Sequence, residues 1–202
     1  MSHRVDPGFG GERALGDKCA LPSSLYTGVR YKPLLTGGMA LLAGGAMPLA
    51  FAPVGWAWLA VIALATFFVL TAQSSRRQAL WSAYLFGLGY FGVGVSWVFI
   101  SISQYGNGPV VAVLVTAAFV SLLALFPWGV AYLVRCLRPE MDAMALWLGL
   151  PAAWGLSEWM RTWFLTGFPW LFIGYSQTDT TLATIAPVFG VLGVSFLVAL
   201  LA

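Results

Sequence analysis

The sequence predicts an all-α membrane protein, a polytopic bundle of about six transmembrane helices with no soluble catalytic domain in this chain. Of its 202 residues, 60% are hydrophobic and only 8% are charged, whereas soluble domains typically carry about 25% charged residues. The hydrophobic residues gather into long apolar stretches. Open strands cannot cross a bilayer, because each unpaired backbone group in lipid costs several kcal/mol. These stretches are therefore expected to be helices.

Six apolar stretches define the expected membrane domain, residues 34–202. They cover residues 34–51, 55–72, 81–102, 110–134, 143–164 and 181–202. Each is near the length of about 20 residues that crosses roughly 30 Å of hydrocarbon. The first stretch is the weakest, because Pro48 interrupts it. Pro53 and Gly55 then form a tight turn, so the first two stretches are expected to make a helical hairpin.

Basic residues alternate between the connections and orient the bundle. They precede the first stretch, separate the second from the third, and separate the fourth from the fifth: Arg30, Lys32, Arg76, Arg77, Arg135 and Arg138. The alternate connections, residues 52–54, 103–109 and 166–179, contain no Lys or Arg. The positive-inside rule therefore predicts a cytoplasmic N-terminus and an outer location for residues 166–179.

Residues 1–33 differ in composition from the rest of the chain. They are mixed polar and Gly-rich, and they lack a continuous apolar run of the signal-peptide type. Two interpretations stay open. The segment is either a disordered cytoplasmic leader or the product of a start codon assigned too early.

Several kinds of chemistry are not expected. Cys19 and Cys136 both fall on the predicted cytoplasmic side, which is reducing, so no disulfide is predicted. Arg135 adjoins Cys136, but no His lies nearby to act as a base for this thiol. His3 is the only histidine, so neither a His-based triad nor a metal site is predicted. No cofactor is expected. A basic cluster with interleaved aromatics is also missing from the sequence, which excludes a nucleic-acid binder.

One pair of opposite charges lies within the apolar stretches. Glu158 and Arg161 are three residues apart near the outer end of the fifth stretch, so they share one helix face and can pair. An intramembrane ion pair is by default a functional candidate, yet an interfacial pair that fixes a loop is the commoner case. We expect the pair to position the following loop, where Gly167 and Pro169 break the helix and favour an extended backbone.

That loop, residues 166–179, is aromatic although connections between membrane helices are normally polar. Six aromatic residues near the outer ends of the third and fifth stretches are candidates for substrate binding: Trp97, Tyr105, Trp163, Phe168, Trp170 and Tyr175. Trp and Tyr can hydrogen-bond lipid headgroups while their rings are buried. Taken singly, each could equally be an interfacial anchor.

Two segments carry a resemblance to a known family. SEWMRTWFLTGFPWLFIGYSQ (Ser157–Gln177) and VSWVFISISQYG (Val95–Gly106) closely resemble the membrane part of bacterial apolipoprotein N-acyltransferase, and the similarity extends over residues 34–202. The resemblance implies a multi-pass enzyme of the bacterial inner membrane, acting in the last step of lipoprotein maturation. It would transfer an acyl chain from a phospholipid to the N-terminal amino group of a diacylglyceryl-Cys lipoprotein. Those two molecules are the implied partners.

The chain also departs from the family pattern. Family members have further membrane helices and an outward-facing nitrilase-like domain with a Glu-Lys-Cys triad, which would follow residue 202. This chain has no Cys or Lys in its predicted outer connections, and Cys136 is expected at the opposite side. We therefore assign no catalytic residue and expect an N-terminal fragment, truncated at its C-terminus and inactive alone. The alternative is a non-enzymatic scaffold or a small transporter, although transporters usually show paired broken helices and ionisable groups at mid-membrane.

Overall fold

The computed structural model describes residues 33–105 and 108–202, and within these ranges the protein contains helices and turns but no strand. Apart from Pro33, the expected leader lies outside the described residues, as do Cys19 and His3. The α-helices that the structure describes are α1 (Pro33–Ala46), α2 (Trp58–Gln73), α3 (Arg76–Gly94), α4 (Ser96–Tyr105), α5 (Gly108–Leu123), α6 (Leu125–Leu137), α7 (Leu150–Arg161) and α8 (Ala186–Leu201). The chain between α7 and α8 contains short 3-10 turns at Phe164–Thr166, Ile173–Gln177 and Thr181–Ile185.

The length and composition of the helices confirm the all-helical class and fit a membrane protein. Three helical segments of the described chain are long and apolar enough to cross a bilayer: Pro33–Ala50, Gly108–Leu137 and Thr181–Leu201. A fourth crossing results if α3 and α4, which are bent by 50° relative to each other, count as one span. The predicted number of about six is not confirmed. At 16 residues, α2 reaches only about 24 Å. The 12 residues of α7 continue directly from a π-helical turn, Ala145–Gly149.

Small residues allow α1 and α3 to cross at a short distance. Gly44 of α1 lies against the backbone of Phe86 in α3, and Gly89 of α3 lies against the backbone of Leu41 in α1. A Cβ atom at either glycine would collide with a main-chain carbonyl. Small residues are what allow membrane helices to approach so closely, since no hydrophobic effect drives their association in lipid.

An aromatic core joins α2, α3 and α7. The ring of Phe67 lies 4.9 Å from that of Phe86 and 5.7 Å from that of Trp154, and the Trp154 ring lies 6.4 Å from that of Tyr90. All of these side chains are buried. The Tyr90 hydroxyl and the Trp154 indole N–H both reach from this core to polar partners near the loop that follows α7.

At the opposite end, basic side chains connect α6 to the start of α3. Arg135 donates hydrogen bonds to the carbonyl oxygens of Ser74 and, at 3.3 Å, Pro139. The Arg76 guanidinium donates to Cys136 Sγ at 3.2 Å. The connection between α2 and α3 and the end of α6 therefore lie at the same end of the bundle.

Candidate functional site

The candidate site is the loop that follows α7, in which the chain reverses at a glycine. After Arg161 the chain makes the 3-10 turn Phe164–Thr166 and then reverses at Gly167, where φ is 87°. A Cβ atom there would collide with the carbonyl oxygen of Thr162, and only glycine adopts positive φ without steric cost. The exposed Pro169 follows. The Phe168 N–H closes the turn by donating to the carbonyl oxygen of Arg161 at 2.6 Å.

The two charged residues of α7 lie inside the bundle rather than at its surface. The side chain of Glu158 is 0% exposed and that of Arg161 is 2% exposed, and Glu158 Oε1 lies 3.6 Å from Arg161 Nη2. Removing two charges from water is costly, and their attraction offsets that cost only when further hydrogen bonds satisfy them. The loop backbone supplies two of those bonds, one to each side chain.

Three side chains hold consecutive parts of the loop backbone. Glu158 Oε1 accepts a hydrogen bond of 2.9 Å from the backbone N–H of Ile173 and one of 3.1 Å from the indole of Trp154. Arg161 Nη1 donates to the carbonyl oxygen of Trp170 at 3.1 Å. The Tyr90 hydroxyl donates to the carbonyl oxygen of Leu171. Because the Arg161 guanidinium is charged, the bond that it donates is stronger than a bond between neutral partners.

Aromatic rings surround the Arg161 guanidinium. Its Cζ lies 5.3 Å from the ring centre of Phe91, 5.9 Å from that of Phe126 and 4.9 Å from that of Phe172. A cation above an aromatic face is attracted by the ring quadrupole, most strongly where water is excluded. These rings come from α3, α6 and the loop, so Arg161 links three parts of the protein.

The second half of the loop packs against α8 and the connection before α2. The backbone N–H of Gly174 donates to Ser195 Oγ at 2.9 Å. Gln177 Nε2 donates to the carbonyl oxygen of Ala57 at 3.2 Å and to Ser176 Oγ at 2.9 Å. Gly174, Ser176 and Gln177 are buried. The loop is therefore an integral part of the bundle at this end.

The structure brings three of the six predicted aromatic residues together. The Trp170 ring lies 6.3 Å from that of Trp97 and 6.0 Å from that of Phe168. Phe119 of α5 completes this outer aromatic cluster, with its ring 5.2 Å from that of Phe168. Trp97 and Trp170 remain 46% and 54% exposed, so the cluster presents an aromatic surface at the outside of the bundle.

The other three predicted residues lie elsewhere. Trp163 packs against Trp159 at 5.5 Å, and Tyr175 stacks on Phe172 at 6.1 Å. Tyr105 is 89% exposed at the end of α4. Within residues 33–105 and 108–202, no ring contact connects any of them to the outer aromatic cluster.

Sequence reasoning missed Tyr90, Trp154 and Ser195, which bind the loop or its anchoring carboxylate. One signal could have found the two aromatic residues. A buried Tyr or Trp usually needs a partner for its polar tip, and both Tyr90 and Trp154 lie inside apolar stretches. Trp154 also precedes Glu158 by four residues, the spacing that places two side chains on one helix face.

Comparison with known proteins relates the sequence of this chain to one family. Residues 43–202 match the model of the apolipoprotein N-acyltransferase N-terminal domain. The apolipoprotein N-acyltransferase of Methylococcus capsulatus is 49% identical over 175 residues, covering 81% of this chain and 33% of that protein. Those of Coxiella burnetii and Pseudomonas putida are each 42% identical, covering 80% and 81% of this chain and 34% and 33% of theirs.

The chain spans about one third of the length of the curated relatives it matches. The family model covers well over half of the chain, including the loop, the buried ion pair and the outer aromatic cluster. This chain therefore belongs to the apolipoprotein N-acyltransferase family, within whose N-terminal domain its candidate site lies.

Proposed function

We propose that this chain supplies the membrane domain of an apolipoprotein N-acyltransferase. In the reaction that the family implies, an acyl chain moves from a phospholipid to the N-terminal amino group of a diacylglyceryl-Cys lipoprotein. The family match supports the reaction class. The role of this chain is inferred from the hydrogen bonds that join Glu158, Arg161 and Tyr90 to the loop backbone.

The membrane domain, residues 34–202, is proposed to cross the bacterial inner membrane six times with its N-terminus in the cytoplasm. In this arrangement α3 with α4, and α5 with α6, each form one span, while α2 and α7 cross as shorter helices. Contacts at the two ends support it. Arg76 meets Cys136 at the basic end, whereas Gln177 meets Ala57 at the end whose connections lack Lys and Arg.

The outer aromatic cluster is proposed to receive the hydrocarbon chains of the two substrates. Its exposed members, Trp97 and Trp170, combine a large apolar ring with an N–H donor, which suits the boundary between lipid and water. Tyr105, Trp163 and Tyr175 are proposed to extend this surface, although they lie outside the cluster itself. Both substrates are amphipathic lipids, so one aromatic surface can bind the chains of either.

Glu158 and Arg161 are proposed as positioning residues rather than catalytic residues. They are buried, and they act on the loop through its backbone at Ile173 and Trp170. Gly167 and Pro169 set the course of the backbone that they hold. The catalytic groups are proposed to come from the nitrilase-like domain that the family resemblance implies, which would face the outer surface of the loop.

A chimera tests this proposal. Residues 43–202 would replace the matching segment of the Methylococcus capsulatus relative, and N-acylation of a diacylglyceryl lipopeptide would be followed in phospholipid vesicles. We expect the chimera to acylate the lipopeptide, because the imported segment would supply an equivalent membrane domain. A chimera that inserts at the level of the parent protein but forms no product would refute the proposed function.

The same experiment distinguishes a role in acyl transfer from the alternative of a non-enzymatic scaffold. If the segment only anchors the protein, alanine replacement of Trp170 or Arg161 in the chimera should leave the acylation rate unchanged. A lower acylation rate, in a variant that is present in the membrane at the normal level, favours a role of the loop in acyl transfer.

A further inference from the structure

A groove runs along the bundle, and none of its lining residues belongs to the outer aromatic cluster. It encloses about 280 Å³ and is lined mainly by α6 and α7, including Leu125, Phe126, Gly129 and Leu133 on one side and Ala153 and Met160 on the other. Leu125 is 48% exposed, so the groove is open along this side of the described bundle.

The lining offers too few polar groups to hold an ordered water. Ser157 supplies the only side-chain hydroxyl among its residues, and that hydroxyl already donates to the carbonyl oxygen of Trp154 at 2.8 Å. An ordered water needs two to four polar partners, and apolar cavities stay dry. The groove therefore suits hydrocarbon.

The dimensions of the groove suit one chain. Along α7 and the turn that follows it, the lining extends from Ala153 to Phe164, which is about 16 Å at 1.5 Å per residue. The hydrocarbon core of a bilayer is roughly 30 Å thick, so the groove is about as long as one leaflet is deep. Its volume lies near the lower end of the range of about 300–1,000 Å³ for pockets that hold whole ligands, which fits one acyl chain better than an entire phospholipid.

We propose that this groove binds one acyl chain of a bilayer phospholipid as a structural lipid. The chain would enter from the leaflet next to the loop, because Phe164 and the loop lie at that end. A donor lipid must exchange at every turnover, whereas this lipid stays bound. The proposed occupant is therefore not the acyl donor, and the test below does not require acyl transfer.

The groove is in direct contact with the residues that hold the loop. Phe126 lines it, and the Phe126 ring lies 6.0 Å from that of Phe164 in an edge-on arrangement and 5.9 Å from Arg161 Cζ. An acyl chain packed against Phe126 would restrict the movement of that ring. The bound lipid thereby supports the aromatic surroundings of Arg161 and, through Arg161, the loop backbone.

Gly129 offers a variant that fills the groove without disturbing the bundle. A Cβ atom built on this residue has no other heavy atom within 4 Å, so the side chain of Gly129→Leu can extend into the open groove. Glycine is also a poor helix former, so the change should not weaken α6. Gly129→Ala is the matched control, because it alters the same backbone position while adding little volume. Gly38→Leu is a second control on the exposed face of α1, where a Cβ is equally free.

The test uses the full chain in phospholipid nanodiscs. A small fraction of the phospholipid carries a photoreactive diazirine in its acyl chain, and adducts are mapped by mass spectrometry after irradiation. We expect Leu125, Leu133 and Met160 to be labelled severalfold more than Val113 and Leu114, which are exposed on α5. We expect Gly129→Leu to lower the labelling of the groove severalfold, with Gly129→Ala and Gly38→Leu at the wild-type level.

Either of two results would overturn the proposal. One is equal labelling of the groove and of α5 in the wild-type chain, a comparison that requires no variant to fold. The other is wild-type labelling in a Gly129→Leu chain that keeps its helical circular dichroism. Labelling by a diazirine free fatty acid but not by the phospholipid would reject the bilayer phospholipid as the occupant.

Discussion

Arg161→Ala perturbs the candidate site most sharply, because one side chain contacts Glu158, the carbonyl oxygen of Trp170 and three aromatic rings. Its loss leaves the Glu158 carboxylate buried without its counter-charge. Breaking a buried ion pair from one side typically costs about 3–5 kcal/mol, and we expect a loss of that size in the free energy of unfolding. Glu158→Ala should cost at least as much, because it also leaves the Ile173 N–H and the Trp154 indole without an acceptor.

The double variant Glu158→Ala/Arg161→Ala distinguishes the energy of the ion pair from that of the other contacts of each side chain. It removes both charges, so neither remains buried and unpaired. Residues in direct contact typically show coupling energies of about 0.5–3 kcal/mol, and the double variant should therefore cost less than the sum of the single variants. Arg138→Ala is the matched control. Arg138 pairs with Asp142 at 3.0 Å, but both side chains are almost half exposed, and exposed pairs contribute only about 0–1 kcal/mol.

The assay is reversible unfolding of the purified chain in mixed micelles with increasing sodium dodecyl sulfate, followed by far-ultraviolet circular dichroism. Single variants at Glu158 and Arg161 that unfold like the Arg138→Ala control would refute the reasoning. So would a double variant whose loss equals the sum of the two single losses, since the two side chains would then act independently.

Three further predictions concern the loop and its orientation. Trp170→Ala should lower acylation by the chimera without changing its membrane level, whereas Trp147→Ala, which removes an even more exposed ring outside the loop, should leave the rate unchanged. Gly167→Ala should destabilise the loop by at least about 1 kcal/mol, because it forces a Cβ into positive φ, and wild-type unfolding would contradict this. Thr178→Cys, in a chain whose native cysteines are replaced by serine, should react with an impermeant maleimide on intact spheroplasts. Protection there, with labelling only after lysis, would reverse the proposed orientation.

The features that were predictable from sequence depend on residues close together in the chain. Apolar stretches indicated where helices form, and the three-residue spacing placed Glu158 and Arg161 on one face of α7. Gly167 was recognisable as a helix breaker because its effect is local. The number of spans was not predictable in the same way, since composition alone does not reveal that α2 has only 16 residues or that α3 and α4 are bent by 50°.

The tertiary partners of the loop could not be read from the sequence. Tyr90 is 81 residues from Leu171 in the chain, and Gln177 is 120 residues from Ala57. Which of many polar side chains meets a given carbonyl is decided by how the helices pack, and packing depends on close crossings such as Gly44 against Phe86. For the same reason the sequence did not distinguish Phe168, which joins the outer aromatic cluster, from Tyr175, which does not.

The most direct test of the central account is the initial acylation rate of the chimera carrying Tyr90→Phe. This change removes only the hydroxyl that donates to Leu171 and keeps the ring in the aromatic core. A hydrogen bond contributes about 0.5–1.5 kcal/mol, so a loop that must be held in place for acyl transfer predicts a rate lowered by about two- to tenfold at an unchanged membrane level. A Tyr90→Phe chimera that acylates at the parent rate, and does so across the full range of lipopeptide concentration, would contradict the claim that these buried side chains position the loop for the reaction.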